Sequence, residues 1–345
     1  MKALFAVLTL LNGAVLTSLP ALASAVPAQN VLQPLGVQAL AIHDLWRLTL
    51  LVCTLVFSAV LAAFLYAIWR APHSTTQLAP DVALLDQPEP HLRRPVVIGV
   101  AVSIVLLLVL IVADFVTERR LAHLPLRDAV RIEVTGHMWW WGARYLDDEP
   151  GRMFDTANEV HVPAGKPVIL KLNSADVIHS FWAPSLHGKK DLIPGRTALL
   201  QFRADKPGVY RGQCAEFCGF EHALMAFTIV AHPPAQYDAW VARQRVPAPA
   251  PVTAQQKEGQ AIFMRGSCAG CHTIAGTGAR ARLGPDLTHL ASRRMIASGT
   301  LPNTRQYLAA WILDPQRFKK GAKMPATPLS ARELNALMAY LETLK

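Results

Sequence analysis

The stretch Cys214-Ala-Glu-Phe-Cys-Gly-Phe-Glu-His-Ala-Leu-Met225 is the most informative part of this chain. It places Cys218 four residues after Cys214, His222 four residues later and Met225 three residues after that. An isolated histidine, His179, precedes Cys214 by 35 residues. Thiolate, thioether and imidazole ligands together favour copper. The stretch and His179 therefore predict a copper site.

The number of cysteines indicates which kind of site this is. A mononuclear blue copper site uses one cysteine, whereas two thiolates can bridge two coppers, with one histidine terminal on each metal. A zinc site formed by Cys214, Cys218 and His222 is an alternative, but Met225 and Glu216 weigh against it. A disulfide between the two cysteines is a further alternative for an exported protein.

Short β segments separated by turn sequences surround this stretch, and they predict a Greek-key sandwich or barrel over residues 130–232. The expected strands are Arg131–Thr135, Glu159–Val162, Pro167–Leu172, Thr197–Phe202, Val209–Gln213 and Ala226–Ala231. A short helix and a linker rich in proline and alanine follow over residues 233–253.

The C-terminal residues, 254–345, predict a small all-α domain with a covalent haem. Cys268-Ala-Gly-Cys-His272 is a C-x-x-C-H signature, in which Cys268 and Cys271 bind the haem vinyl groups and His272 binds the iron. Met324, in Lys323-Met-Pro325, is the expected sixth ligand. Two different one-electron centres in one chain predict electron transfer.

The N-terminal third is apolar enough to give the whole chain a positive mean hydropathy of +0.25. Residues 1–25 have the pattern of a signal peptide, for which an uncleaved membrane helix is the alternative. Residues 48–68 and 96–116 are each about 20 residues long, which is enough to cross a bilayer, and they predict a transmembrane hairpin within residues 40–120. The signal peptide places the large C-terminal part outside a bacterial-type inner membrane, on the periplasmic side, because the loop charges alone are ambiguous.

The excess of positive charge is concentrated in the C-terminal residues. Residues 131–232 contain 11 basic and 11 acidic residues, whereas residues 251–345 contain 13 and 5. The basic C-terminal domain could dock on the acidic run Asp147-Asp148-Glu149, or both could be solvated faces.

These motifs together resemble subunit II of the haem–copper cytochrome c oxidases, over roughly residues 45–240, with a fused cytochrome c domain as in caa3-type oxidases. The resemblance rests on the complete motif C-x-E-x-C-x-x-x-H-x-x-M at 214–225 and on Val177-Ile-His-Ser-Phe-Trp182. It implies a multidomain membrane protein: a two-helix transmembrane hairpin, an all-β cupredoxin-like Greek-key domain and an all-α class I cytochrome c domain.

The resemblance also implies a role for each site residue. Cys214 and Cys218 would bridge the two coppers of a copper-A centre, with His179 and His222 as terminal ligands. Met225 and the backbone carbonyl of Glu216 would be weak ligands, and the Glu216 carboxylate would bind magnesium at the interface with the catalytic subunit.

A tryptophan-rich segment completes the resemblance. In Gly136-His-Met-Trp-Trp-Trp-Gly142, Trp139 matches the tryptophan through which electrons reach copper A in the family. Packing in the core is the alternative for a tryptophan on a strand. One departure is Glu89-Pro-His-Leu-Arg-Arg-Pro95, which stands where the family has an acidic residue and a Trp-Thr-x-x-Pro pattern linked with proton uptake.

The predicted function is therefore that of an electron-accepting subunit of a respiratory oxidase. Electrons would pass from cytochrome c through haem c and binuclear copper A to catalytic subunit I, where O2 is reduced to water with proton translocation. The expected partners are that subunit, the other oxidase subunits, cytochrome c or a similar donor, and membrane lipid, with no nucleic acid. The alternatives are a subunit of a nitric oxide reductase and a membrane-anchored copper-delivery protein.

Overall fold

The computed structural model describes residues 29–71 and 90–345, so the predicted signal peptide lies outside the described residues. Two long helices come first, α1 (Val37–Arg70) and α2 (Pro90–Ala122). Both are long and apolar enough to cross a bilayer, with mean hydropathies of 2.6 and 3.4 over an 18-residue window in each helix. The two helices contain the two predicted membrane spans, and their apolar side chains are largely exposed.

A sandwich of ten strands follows. Its two five-stranded sheets have the orders β3-β2-β1-β5-β8 and β4-β10-β9-β6-β7. The strands are β1 (Val130–His137), β2 (Trp140–Tyr145), β3 (Phe154–Ala157), β4 (Glu159–Pro163), β5 (Val168–Ser174), β6 (His179–Trp182), β7 (Lys190–Leu192), β8 (Ala198–Phe202), β9 (Gly208–Cys214) and β10 (Ala226–His232). We call these residues, 130–232, the copper domain.

The core of the copper domain lies between the two sheets. Side chains alternate along β1, so that Ile132 and Val134 are fully buried and their neighbours are not. Trp141 packs edge-on against Phe181 and Phe227, with ring centroids 5.6 and 5.4 Å away. Such packing stabilises aromatic pairs beyond the burial of their area. The predicted all-β cupredoxin-like fold is confirmed.

The helices α3 (Pro234–Gln244), α4 (Ala254–Arg265), α5 (Arg305–Leu313) and α6 (Ala331–Leu341) follow the sandwich. Capping boxes begin α4 at Thr253 and α6 at Ser330, and the second of these follows from the sequence. The helices α4 and α6 cross closely at Gly259, where a Cβ atom would lie 2.0 Å from the carbonyl oxygen of Ala336. We call residues 254–345 the haem domain. It also contains a two-stranded hairpin, β11 (Met295–Ile296) and β12 (Leu301–Pro302).

The hairpin of the haem domain lies against the copper domain. Ser298, which is 1% exposed, donates its hydroxyl to the carbonyl of Ala226 at 2.8 Å and accepts the backbone N–H of Ala226 at 3.0 Å. Nearby, the Glu159 carboxylate accepts the backbone N–H of Arg294 at 3.0 Å. The two domains are therefore joined by buried hydrogen bonds.

The carboxylates of the acidic run, which the sequence predicted as a docking site, form ion pairs with arginines of the copper domain and of the segment after it. Asp147 pairs with Arg245 at 2.8 Å, and Asp148 pairs with Arg131. Other carboxylates form the ion pairs between the domains, as in Asp155–Arg282 at 3.5 Å and Asp176–Lys323 at 3.7 Å. The prediction that the haem domain docks on the acidic run was therefore wrong. Neighbouring arginines already neutralise the negative charge of the run.

Candidate metal centres

Three of the predicted copper ligands meet at the end of the sandwich. The ligand atoms of His179, Cys214 and Cys218 all lie within 4.8 Å of one another, and all three residues are buried. His179 begins β6 and Cys214 ends β9, and these strands are paired through Phe181 and Cys214. Strand pairing therefore brings together residues that are 35 positions apart.

The other predicted ligands lie on the loop that follows β9. The Sγ atom of Cys218 is 3.8 Å from the Sγ atom of Cys214, 3.6 Å from Nδ1 of His222 and 3.8 Å from Sδ of Met225. The Glu216 carbonyl oxygen is 3.2 Å from Sγ of Cys214. A disulfide needs sulfurs about 2.05 Å apart, so the two cysteines are free thiols. This buried donor set fits copper, since thiolates and a thioether are soft ligands.

Hydrogen bonds fix the orientation and charge of these ligands. The hydrogen bond from the Cys218 thiol, followed by that from His179, holds the pKa of Cys214 well below its usual range. Burial lowers the pKa of His179, but hydrogen bonds with Cys214 and Asp176 outweigh it, so that the pKa is raised. Asp176 contacts Nε2 of His179 at 2.8 Å, which leaves Nδ1 facing the sulfurs. Such a carboxylate orients a ligating imidazole.

The Glu216 side chain points away from this cluster. Its carboxylate is 43% exposed and lies 3.2 Å from Nζ of Lys189. The same residue thus offers its carbonyl oxygen to the cysteines and its carboxylate to the surface.

The predicted haem ligands line one cavity of about 610 Å³, whose wall is formed mainly by the haem domain and partly by the copper domain. Cys268, Cys271, His272 and Met324 all contribute to its wall. Nδ1 of His272 is 2.7 Å from the carbonyl oxygen of Pro285, and this bond makes Nδ1 the protonated nitrogen and leaves Nε2 free to bind a metal.

A glycine beside the proximal histidine makes room for it. A Cβ atom at Gly284 would lie 2.6 Å from Cε1 of His272. A side chain at position 284 would therefore push the imidazole from its place. The cavity and its four ligand residues fit a covalently bound haem.

The three consecutive tryptophans have three different surroundings. Trp141 is in the core of the copper domain at 1% exposure, and Trp140 stacks on His137 with ring centroids 4.1 Å apart. Nε1 of Trp139 donates to the carbonyl oxygen of Cys218 at 2.9 Å. The Trp139 ring also lines the haem cavity, where it faces Gly321 of the haem domain. Trp139 therefore contacts the copper-ligand loop and the haem cavity together.

Two residues near these centres were not singled out by sequence reasoning. Asp176 directly precedes the motif Val177-Ile-His-Ser-Phe-Trp182, and its place three residues before His179 could have indicated a carboxylate partner. Lys319 lies in the haem domain, with its Nζ in contact with backbone carbonyls of the copper domain. No local pattern distinguishes Lys319 from its neighbour Lys320.

Comparison with known proteins gives the following similarities. Residues 146–232 match the family described as "Cytochrome C oxidase subunit II, periplasmic domain", and residues 256–345 match the family "Cytochrome c". Cytochrome c oxidase subunit 2 of Alkalihalophilus pseudofirmus is 37% identical over 325 residues, which cover 92% of this chain and 91% of the relative. The corresponding subunit of Bacillus sp. strain PS3 is 34% identical over 72% of this chain and 74% of its own length.

One similar solved structure is the periplasmic domain of subunit II of cytochrome oxidase from Bradyrhizobium japonicum. It is 32% identical to this chain, covers 34% of this chain and 93% of its own, and has a TM-score of 0.32.

Proposed function

This chain belongs to the cytochrome c oxidase subunit 2 family, and we propose that it accepts electrons from cytochrome c for a respiratory oxidase that reduces O2 to water with proton translocation. Its family and its two matched domains imply copper A, haem c and an electron-transfer role. Haem c and copper A would supply one-electron transfer, in that order, toward the catalytic subunit. The observation that carries the proposal is the contact of Trp139 with both the haem cavity and Cys218.

We assign the copper ligands by the geometry of the buried cluster. Cys214 and Cys218 would supply the thiolates, and His179 and His222 the imidazoles, that hold the copper centre. Met225 and the Glu216 carbonyl are the weak ligands. Support comes from the close approach of all these donor atoms and from the burial of Cys214, Cys218 and Met225 at 3% exposure or less. A buried site with fixed ligands changes little between redox states, which favours fast electron transfer.

We propose that Cys268 and Cys271 would bind a haem covalently and that His272 and Met324 would hold its iron. The support is their shared cavity and the hydrogen bond that orients His272. The His272 imidazole keeps its proton on Nδ1, and burial lowers its pKa, so the ring stays neutral and able to bind a metal.

The Trp139 side chain is proposed as the bridge between the two centres. Its indole N–H is anchored on the backbone of a copper ligand, Cys218, while the ring faces the methionine loop of the haem domain at Gly321. An aromatic ring that is held by Cys218 and also lines the haem cavity shortens the gap that an electron must cross.

The placement in the membrane follows from the two apolar helices. We propose a two-pass protein of a bacterial-type inner membrane, with the copper and haem domains on the periplasmic side. The bilayer would cover the exposed apolar side chains of α1 and α2. Catalytic subunit I and the other oxidase subunits are its partners. The Glu216 carboxylate could bind magnesium at that interface only by exchanging Lys189 for the metal.

The complex purified through this chain from its native membrane tests the proposal. The complex is supplied with reduced cytochrome c, and the consumption of oxygen and of nitric oxide is recorded separately. Fast oxygen uptake is the expected result. Consumption of nitric oxide with little oxygen uptake would place the chain in a nitric oxide reductase and contradict the proposal.

A further inference from the structure

Lys319 is a residue of the haem domain whose charged end lies in the copper domain. The residue is only 3% exposed. Its Nζ atom donates to the carbonyl oxygen of Trp139 at 2.9 Å and to the carbonyl oxygen of Leu224 at 3.0 Å. An ammonium group is almost never buried so completely without a specific set of partners.

The two carbonyl acceptors belong to the tryptophan segment and to the copper-ligand loop of the copper domain. Trp139 is the proposed bridge between the centres, and Leu224 directly precedes the ligand Met225 in the turn that begins at His222. Lys319 itself lines the haem cavity, on the loop that leads to Met324. One ammonium group therefore joins the methionine loop of the haem domain, the bridging tryptophan and the copper-ligand turn.

A buried carboxylate balances this charge. Glu221, on the same copper-ligand loop, is 5% exposed, and its Oε2 atom has no hydrogen-bond partner among the described residues. Burial lowers the pKa of Lys319 to about 8, and Glu221 is the strongest influence that opposes this shift. The Glu221 carboxylate therefore attracts the Lys319 ammonium through space, from the other domain, without a hydrogen bond from Lys319 to its Oε2 atom.

The neighbouring lysines have no such contacts. Lys320 is exposed, and Lys323 reaches Asp176 only at 3.7 Å with 63% of its side chain exposed. An exposed ion pair of this kind contributes little to docking. Lys319 therefore differs from the generally basic surface of the haem domain.

We propose that Lys319 is a positioning residue, which holds the haem domain on the copper domain at one fixed distance and orientation from Trp139. The haem domain then acts as a rigid part of the electron path and not as a donor that swings on the linker at residues 246–252. The inference rests on the proposed function, because it assumes that electrons pass between the two domains.

The test compares Lys319→Met with Lys320→Met in the full-length chain carrying haem and copper. Both variants lose one ammonium group and keep an aliphatic stem, but only Lys319→Met removes the hydrogen-bond donor of the Trp139 and Leu224 carbonyls and the positive charge near Glu221. Transfer from haem to copper is started by flash photoreduction of the haem and followed at several solvent viscosities. Cleavage of the linker by a protease is measured on the same samples, and also on the chain without copper.

A rigid path predicts that transfer in the unaltered chain and in Lys320→Met does not depend on viscosity. In Lys319→Met, transfer should slow roughly tenfold or more and become viscosity-dependent, because the domain must now find its place. Linker cleavage should rise roughly tenfold, since two hydrogen bonds to a charged group are lost. The copper and haem absorption spectra should stay unchanged.

Two results would overturn the inference. One is a Lys319→Met chain with the transfer rate and linker protection of Lys320→Met. The other is transfer in the unaltered chain that already slows with viscosity, and this result needs no variant to fold. If the unaltered chain shows no transfer between haem and copper at all, the proposed function has failed, and the two failures are thus distinguishable.

Discussion

The copper domain and the haem domain differ in where their predicted metal ligands lie relative to the packed core. In the copper domain, the ligands lie at the end of a sandwich whose core is already filled by side chains such as Trp141, Phe181 and Phe227. In the haem domain, the ligands line a cavity of about 610 Å³ that the helices and loops surround. A metal would therefore complete a copper domain that is already packed, whereas a haem would itself form a large part of the core of its domain.

Loss of the haem should have the largest effect. The double variant Cys268→Ser/Cys271→Ser should lose covalent haem, and the haem domain should lose its stable fold because its cavity has no other filling. The copper domain should keep its fold. Limited proteolysis and circular dichroism of the full-length chain would measure both domains.

Cys53→Ser is the matched control for the double variant, since Cys53 is exposed on α1 and outside both sites. If the haem-free C-terminal domain resists proteolysis as well as it does in the Cys53→Ser chain, the haem does not form an essential part of the core of that domain.

The packed core of the copper domain should give the next largest effect. Trp141→Ala should destabilise this domain by about 3–5 kcal/mol, because it opens a cavity between the sheets. Chemical denaturation followed by tryptophan fluorescence and circular dichroism measures the change. Trp140→Ala, which removes a ring stacked on His137 outside the core, is the control and should cost less. Equal losses for the two variants would show that the sandwich is not the source of stability.

Between the two domains, Trp139→Ala should change electron transfer and leave stability alone. Without the ring, haem-to-copper transfer should slow roughly tenfold to a hundredfold, which corresponds to about 1.4–2.7 kcal/mol in the barrier. Both metals should stay bound, since the tryptophan donates to a backbone carbonyl and not to a ligand atom. Flash-induced kinetics measure the rate, with Trp140→Ala as the control. Unchanged electron-transfer kinetics in Trp139→Ala would contradict the proposal that Trp139 bridges the two centres.

Acidification should have the smallest effect, and it should act on the copper domain. Burial lowers the pKa of His187 to about 4, and burial followed by the positive field of His161 lowers the pKa of His232 to about 4. The unfolded chain binds protons at these histidines below about pH 6.5, before the folded domain does. Stability should therefore fall as the pH drops from about 6.5 toward 4.

Thermal unfolding at pH 7.5 and pH 5 would measure this dependence. The Tm of the copper domain should be a few degrees lower at pH 5, as expected for a change of about 1 kcal/mol. The substitution His187→Gln should reduce the difference. A Tm that is higher at pH 5 would contradict the assignment of both histidines as neutral and buried.

Most strands of the copper domain follow from local patterns, but four do not. Each of the six expected β segments overlaps an observed strand, although Pro167 and Thr197 lie one residue before β5 and β8 begin. The strands β2, β3, β6 and β7 were not expected. The strands β3, β6 and β7 have only three or four residues each, too short for an alternating pattern to be recognised. The tryptophan run hides β2, because successive large aromatic residues do not alternate between apolar and polar.

The apolar helices and the helical character of the haem domain were easier to predict from the sequence. Twenty apolar residues in succession predict a span without further information, and capping residues such as Ser330 mark the start of a helix. The site residues followed from spacing and resemblance, and the structure gathers the copper donors in one cluster and the haem donors in one cavity.

The sequence by itself determined the chemistry of this protein: which donor atoms it offers, how they are spaced within each motif, and which segments are apolar enough to enter a bilayer. These properties depend on residues close together in the chain. Only the tertiary structure decided that the Trp139 ring lines the haem cavity while its indole N–H is held by Cys218, and that Lys319 reaches the Trp139 carbonyl from 180 positions away. Contacts between such distant residues depend on how two packed domains fit together, and no local pattern records that fit.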